Sequence, residues 1–277
     1  MKEGILVKKA FIGLSMLALV FLVSCSGTTS YQSSGQSEKP PVVVSPVTPQ
    51  GDASSLLIMD KTVSVPLLRL TGKEKVMEVN ATADFGVSYR DISELCEAAA
   101  VKNIVYGTVQ EVGFYEGYPS GQTLYNFLVE KSFEGELKAG DKISVLASGG
   151  YLSLGRYIET YGGERFEDMT AEEIENTVLK QTCMGAPLAK TGDKYMLFLS
   201  KEKTQEDAPT PVGSFVEVGA FMGRFYYNEE KLLTRYTPEN EPDFYQNPVT
   251  KTTAQQVFTL EELENEISAC LEASIYR

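Results

Sequence analysis

The 277-residue sequence contains no histidine and no tryptophan. The first absence removes whole classes of chemistry. Nucleophile systems that need an imidazole base, such as Ser-His-Asp and Cys-His, cannot be assembled from these residues. Neither can histidine-ligated zinc centres or HExxH proteases. The second absence removes the largest aromatic stacking platform, although 15 tyrosines and 13 phenylalanines are present. Positive charge is scarce, with 25 Lys and Arg against 38 Asp and Glu, a net charge of −13. Such an acidic chain is a poor partner for nucleic acid, whose phosphates attract clustered Lys and Arg. Cysteine is limited to Cys25, Cys96, Cys183 and Cys270, and their wide spacing fits no zinc pattern. Long apolar runs are absent except for one, the uncharged stretch Ala10–Val23.

That run has only 14 residues, whereas a membrane-crossing helix needs about 20. It follows Lys2, Lys8 and Lys9 and ends in Leu22-Val23-Ser24-Cys25. A basic start, a short apolar segment and small residues before a cut are the marks of a removed export signal. Leu22, Val23, Ser24 and Cys25 together resemble the lipobox of bacterial lipoproteins. The resemblance implies cleavage after residue 24, acylation of Cys25 by palmitate-type chains, and attachment to the extracytoplasmic face of a cell membrane. Two or more acyl chains anchor stably, at about 0.8 kcal/mol per buried CH₂. With Cys25 acylated, the other three cysteines allow at most one disulfide; small buried residues are the alternative.

Three segments are therefore expected: a signal peptide over 1–24, a lipid-anchored linker over 25–55, and a single β-rich globular domain over 56–277. Between residues 26 and 55, 18 of 30 residues are Ser, Thr, Gly or Pro, too polar a composition to fold by itself. As a coil the linker would span on the order of 30 Å, or about 100 Å when extended.

In the domain, two or three strands are expected over Leu56–Asn80 and a helix from Leu95 to Val101 behind the Asp91 cap. Strands are expected at Ile104–Val109, Leu124–Val129, Lys142–Leu146 and Tyr195–Leu199. A capped helix at Thr170–Val178, a meander over 215–236 and an amphipathic helix from Leu260 complete the pattern. Many short strands with two or three helices predict a mainly β fold, a small OB-like β-barrel or sandwich with peripheral helices.

Residues 104–109, 129–135, 138–143, 149–150 and 192–199 resemble a pattern in surface lipoproteins of Gram-positive bacteria. More distantly, Glu134-Gly135, Cys183-Met184-Gly185 and Tyr195-Met196-Leu197 are similar to netrin-like modules and tissue inhibitors of metalloproteinases, which are OB barrels. Those inhibitors hold a target zinc through a free N-terminal cysteine amine. No matching cysteine stands at the start of this domain, and the only N-terminal cysteine, Cys25, would be acylated, so that activity is not carried over.

For binding, Phe114, Tyr115, Tyr118 and Tyr125, with Phe127, suggest an aromatic lip around the 113–127 loop, and Tyr226, Tyr227 and Tyr236 raise the same question on the meander. The carboxylates Glu164, Glu167, Asp168, Glu172 and Glu173 are hard ligands suited to calcium. They lack the Asp-x-Asp-x-Asp-Gly spacing, and a solvated helix face is the simpler expectation. No cofactor and no metal are expected. The chain is expected to be a non-catalytic module that binds an extracytoplasmic protein or glycan. The alternatives are a cell-wall hydrolase working through paired carboxylates and an inhibitor of an exported protease.

Overall fold

The computed structural model describes residues 67–81, 89–116, 120–201 and 214–275, together with two strands before them, β1 (Ser55–Ile58) and β2 (Lys61–Ser64). The lipobox residues Leu22 to Cys25 and most of the linker lie outside the described residues. Among the described residues, no helix is long and apolar enough to cross a membrane.

After β3 (Leu67–Leu68), β4 (Lys75–Ala81) and the short helix α1 (Ile92–Cys96), the chain enters β5 (Asn103–Tyr115), β6 (Gln122–Glu134) and β7 (Lys142–Ser148). An insert follows: β8 (Gly150–Ser153), α2 (Leu154–Tyr161), a 3-10 turn at Glu164–Phe166, α3 (Ala171–Glu175) and β9 (Thr177–Cys183). The chain then returns through β10 (Lys194–Lys201) and β11 (Phe215–Glu217). A second 3-10 turn at Ala220–Gly223 leads to β12 (Arg224–Tyr227), β13 (Leu233–Arg235), β14 (Val257–Phe258) and α4 (Leu260–Ile275).

Five strands close into a barrel, because β10 pairs with both β5 and β11 while β5, β6, β7 and β11 pair in succession. Four of the five pairings are antiparallel, and β7 with β11 is parallel. This order is that of the OB barrel, as the sequence pattern predicted. β5 and β6 have 13 residues each, more than twice the usual strand length. Such strands must coil to serve a closed barrel, and β5 does so through register shifts at Ile104/Val105, Tyr106/Gly107 and Val109/Glu111.

Gly107 sits in this coiled stretch, where a Cβ would stand 2.0 Å from the Leu128 carbonyl oxygen and 2.9 Å from the Phe127 ring. Backbone cannot withdraw as a flexible side chain can. Gly107→Ala is therefore expected to cost at least about 1–3 kcal/mol, read as a lower midpoint in denaturant unfolding. An unchanged midpoint would show that β5 and β6 separate freely there.

The barrel interior is filled by Tyr125, Phe127 and Val129 of β6, Ile143 and Val145 of β7, Leu197 and Leu199 of β10 and Phe215 of β11, all buried. The alternate residues of β5 and β10 point outward into a second core. There Ile104, Tyr106, Met196 and Phe198 meet Phe225, Leu233 and Phe258 and are covered by Leu263 and Ile267 of α4 and by Ile92 and Leu95 of α1. Burial on both faces explains why β10 reads Tyr-Met-Leu-Phe-Leu without polar alternation. A third cluster gathers Cys183, Met184, Phe221, Met222 and Tyr245.

Three local expectations are corrected. The helix behind Asp91 keeps its cap, with Asp91 Oδ1 accepting from the Glu94 N–H at 2.8 Å, but ends at Cys96. The stretch 56–80 forms four strands rather than two or three. Val178 belongs to a strand, since β9 begins at Thr177 and pairs in parallel with all seven residues of β4. The Thr170–Glu173 capping box does form, but its helix stops at Glu175. Buried Thr177 and Val178, one β-branched residue after another, prefer the pleated sheet. At the C-terminus, the Thr259–Glu262 box starts α4 as predicted.

Candidate functional site

The aromatic lip expected around the 113–127 loop is not formed by its described members. Phe114, Tyr115 and Tyr125 are buried. Phe114 packs edge-on against Tyr151 with ring centroids 4.7 Å apart, and Tyr115 pairs across the ladder with Leu67. Tyr118 lies outside the described residues. Phe127 fills the barrel, and Tyr226, Tyr227 and Tyr236 are half-buried. Alternation along paired strands sent Phe114, Tyr125, Phe127 and Tyr226 to the barrel core and Tyr227 to the outer core.

Tyr125 instead belongs to a buried charge cluster inside one end of the barrel. Its hydroxyl donates to Glu217 Oε1 at 2.7 Å. The same oxygen accepts from Arg224 Nη1 at 3.2 Å, and both charged side chains are almost wholly inaccessible. Arg224 Nη2 also donates to the Pro187 carbonyl at 2.7 Å, and the guanidinium lies 5.4 Å from the centre of the Tyr195 ring. Tyr195 in turn donates to Asp193. Burial pushes the Glu217 carboxyl up, against the opposing pull of Arg224. Burial, the largest effect, opposes the charge on Arg224, but Glu217 together with Tyr195, Tyr125 and Tyr226 outweighs it and holds the guanidinium cationic. The chemistry is that of an internal ion pair with its lone pairs and protons satisfied, which is what a buried pair requires to persist.

Among the described residues, the second buried cation, Arg235 of β13, has no carboxylate in hydrogen-bond contact. Its Nε donates to the Met222 carbonyl at 2.7 Å, Nη1 to Gln256 Oε1 at 3.3 Å, and Nη2 to the Tyr89 carbonyl. The Tyr245 ring lies 4.3 Å from its guanidinium carbon. Burial pulls its pKa down to about 10, so it stays charged at neutral pH. Through two main-chain acceptors and one side-chain acceptor it ties three segments together.

An accessible feature stands on the insert. A cleft of about 690 Å³ is lined by Glu116, Ser153, Arg156, Glu159, Ile174 and Glu175, among others. It opens between α2 and α3, beside the loop that joins β5 to β6. Neither this cleft nor a shallower one at Ser132–Ala139 includes Glu217 or Arg224 in its lining. α2 places Tyr157 and Tyr161 one turn apart with rings 4.9 Å apart, and Phe166 meets Tyr157 edge-on at 6.1 Å. Tyr161 is 42% exposed, whereas most large apolar side chains of the fold are inside. From Tyr151 to Asn176 the insert carries seven carboxylates against two arginines.

The carboxylates proposed as calcium ligands fall on this insert. Glu164 begins the 3-10 turn, and Glu172 and Glu173 lie in the first turn of α3. Glu173 caps that helix, and its hydrogen bonds to the backbone and hydroxyl of Thr170 hold its carboxyl below the usual range. Among the described residues, no group of three or more metal-ligating side chains converges. Tyr157, Tyr161 and Phe166 were not singled out in the sequence. Their spacing of four residues before Gly162-Gly163 was the available signal, hidden by the acidic run that follows.

No family model, curated protein or solved structure matches the chain.

Proposed function

We propose that this chain is a membrane-anchored extracytoplasmic lipoprotein, held by acylated Cys25, whose barrel carries a non-catalytic binding surface for an envelope protein or glycan. One observation carries the binding part: α2 bears a close tyrosine pair, with Tyr161 exposed and Tyr157 half-buried, and the same helix lines an acidic cleft through Arg156 and Glu159. Aromatic faces flanked by carboxylates suit a cationic partner, through cation–π contact and charge attraction. A Lys- and Arg-bearing segment of an envelope protein, or a glycan with free amino groups, has that chemistry. The linker would place the surface tens of ångströms from the bilayer.

Binding of a Lys-rich peptide and of an amino-glycan oligomer to the full chain tests the surface. Tyr157→Ser combined with Tyr161→Ser is expected to weaken the productive probe at least about tenfold, the effect of losing aromatic anchors. Equal binding by wild type and variant would remove the proposed surface. Cell fractionation tests the anchor. Cys25→Ala is expected to leave an uncleaved precursor that is not lipid-labelled, and normal processing with membrane retention would refute acylation at Cys25.

A further inference from the structure

α1 and α4 come from opposite ends of the domain but pack together over the outer face of β5 and β10. Each contributes one cysteine to that contact. Cys96 is the last residue of α1. Cys270 lies on α4 one turn beyond Ile267, on the face that also carries Leu263 and Leu271. Both are half-buried thiols. Their sulfurs are hydrogen-bonded to each other, and Ser93, one turn before Cys96, also hydrogen-bonds the sulfur of Cys270. Cys183 sits elsewhere, buried with Met184 and Phe221.

We propose that Cys96 and Cys270 form a disulfide that fastens the C-terminal helix to the entry of the barrel. Contact between the two sulfurs across a helix pair is the juxtaposition that bridging demands. Other uses of the pair fit less well. A metal site needs further ligands, and among the described residues none gather there. A reactive nucleophile needs a lowered pKa, whereas burial pushes both thiols up. A slow, structural bond suits such thiols.

The oxidant is a disulfide, either of a thiol–disulfide oxidoreductase or of a small molecule such as oxidised glutathione. Cys270 is the attacking sulfur, because Ser93 and Cys96 hydrogen-bond to it and favour its thiolate. It loses its proton and displaces one thiol from the incoming disulfide, forming a mixed disulfide. Cys96 then loses its proton, attacks the Cys270 sulfur and displaces the second thiol. Two S–H bonds of the chain are replaced by one S–S bond, and the oxidant leaves as two thiols. The pairing depends on geometry alone and stands or falls independently of the proposed anchor and ligand.

The full chain is purified in detergent, equilibrated with oxidised glutathione and digested without reductant. The expected product is one cross-linked peptide joining Cys96 to Cys270, two hydrogens lighter than the sum of its parts. The oxidised chain is expected to melt about 5–10 °C above the reduced one, as closing a long loop predicts. Cys270→Ser is expected to abolish this difference, and Cys183→Ala to preserve it. Complete alkylation of both cysteines after equilibration would overturn the proposal. So would a cross-link from either one to Cys183. The peptide map is read on the wild-type chain and does not depend on any variant folding.

Discussion

Arg224→Met is expected to lower the unfolding free energy by about 3–5 kcal/mol at pH 7. The substitution keeps the side-chain volume but leaves the Glu217 carboxylate buried without the Arg224 cation, while the Tyr125 hydroxyl still donates to it. Small-domain stabilities are about 5–15 kcal/mol, so this single change consumes a large share. The cause is the orphaned charge, not the lost attraction, and two further results separate them. Glu217→Leu combined with Arg224→Met removes both charges and is expected to regain most of the loss, because an apolar replacement of a buried pair is close to neutral. A double variant no better than the single would assign the loss to packing instead.

The pH dependence of the single variant has a definite sign. Burial raises the Glu217 carboxyl above its ordinary value in the folded chain, and removing the cation raises it further. A carboxyl with a raised folded pKa binds its proton more readily in the folded state. Its favourable contribution is complete below the unfolded value of 4.5 and is lost as pH rises through the folded one. The gap between Arg224→Met and wild type should therefore narrow from pH 8 to pH 5 in urea titrations. A gap that widens on acidification would refute the orphaned-carboxylate explanation.

Arg235→Ala should be as damaging, at about 3–5 kcal/mol, but with a different response to repair. Its acceptors include the main-chain carbonyls of Met222 and Tyr89, and no second substitution can delete a carbonyl. Arg235→Met refills the space over Tyr245 and Phe225 yet leaves those oxygens without donors. It is expected to remain at least about 2 kcal/mol below wild type in the same unfolding measurement. Full recovery by Met would mean that packing alone holds Tyr89 and Met222 to β13.

Much of the fold was legible because strand signals are local. Alternation and turn residues located the cores of β5, β6, β7 and β10, and the Thr259–Glu262 box located α4. Element ends were less legible. β5 continues to Tyr115 because β6 lies beside it, and β9 exists because β4 pairs with it in parallel across 96 residues of chain, from Ala81 to Thr177. The expected aromatic lip does not form from its described members for a related reason. Phe114, Tyr115 and Tyr125 have the composition of a binding loop, but a ring on a paired strand points wherever the sheet turns it. Tyr157 and Tyr161 carry no stronger signal, yet the short α2 leaves them near solvent.

The sequence alone determined which chemistry is out of reach, since no histidine-dependent site can form without histidine. It also determined the expectation of an exported, lipid-anchored chain at Leu22-Val23-Ser24-Cys25, because such signals are read as linear segments. The tertiary structure decided the rest. Closing the barrel between β5 and β10 and between β7 and β11 chose which face of each strand is inside. Pairing of β11 and β12 with the same strand, β10, set Glu217 beside Arg224, and the outer core over β5 and β10 brought Cys96 against Cys270. These pairs are separated in sequence by seven residues in one case and 174 in the other. Strand pairing across a short turn joins the first pair, and packing of apolar faces, which acts without regard to sequence distance, joins the second.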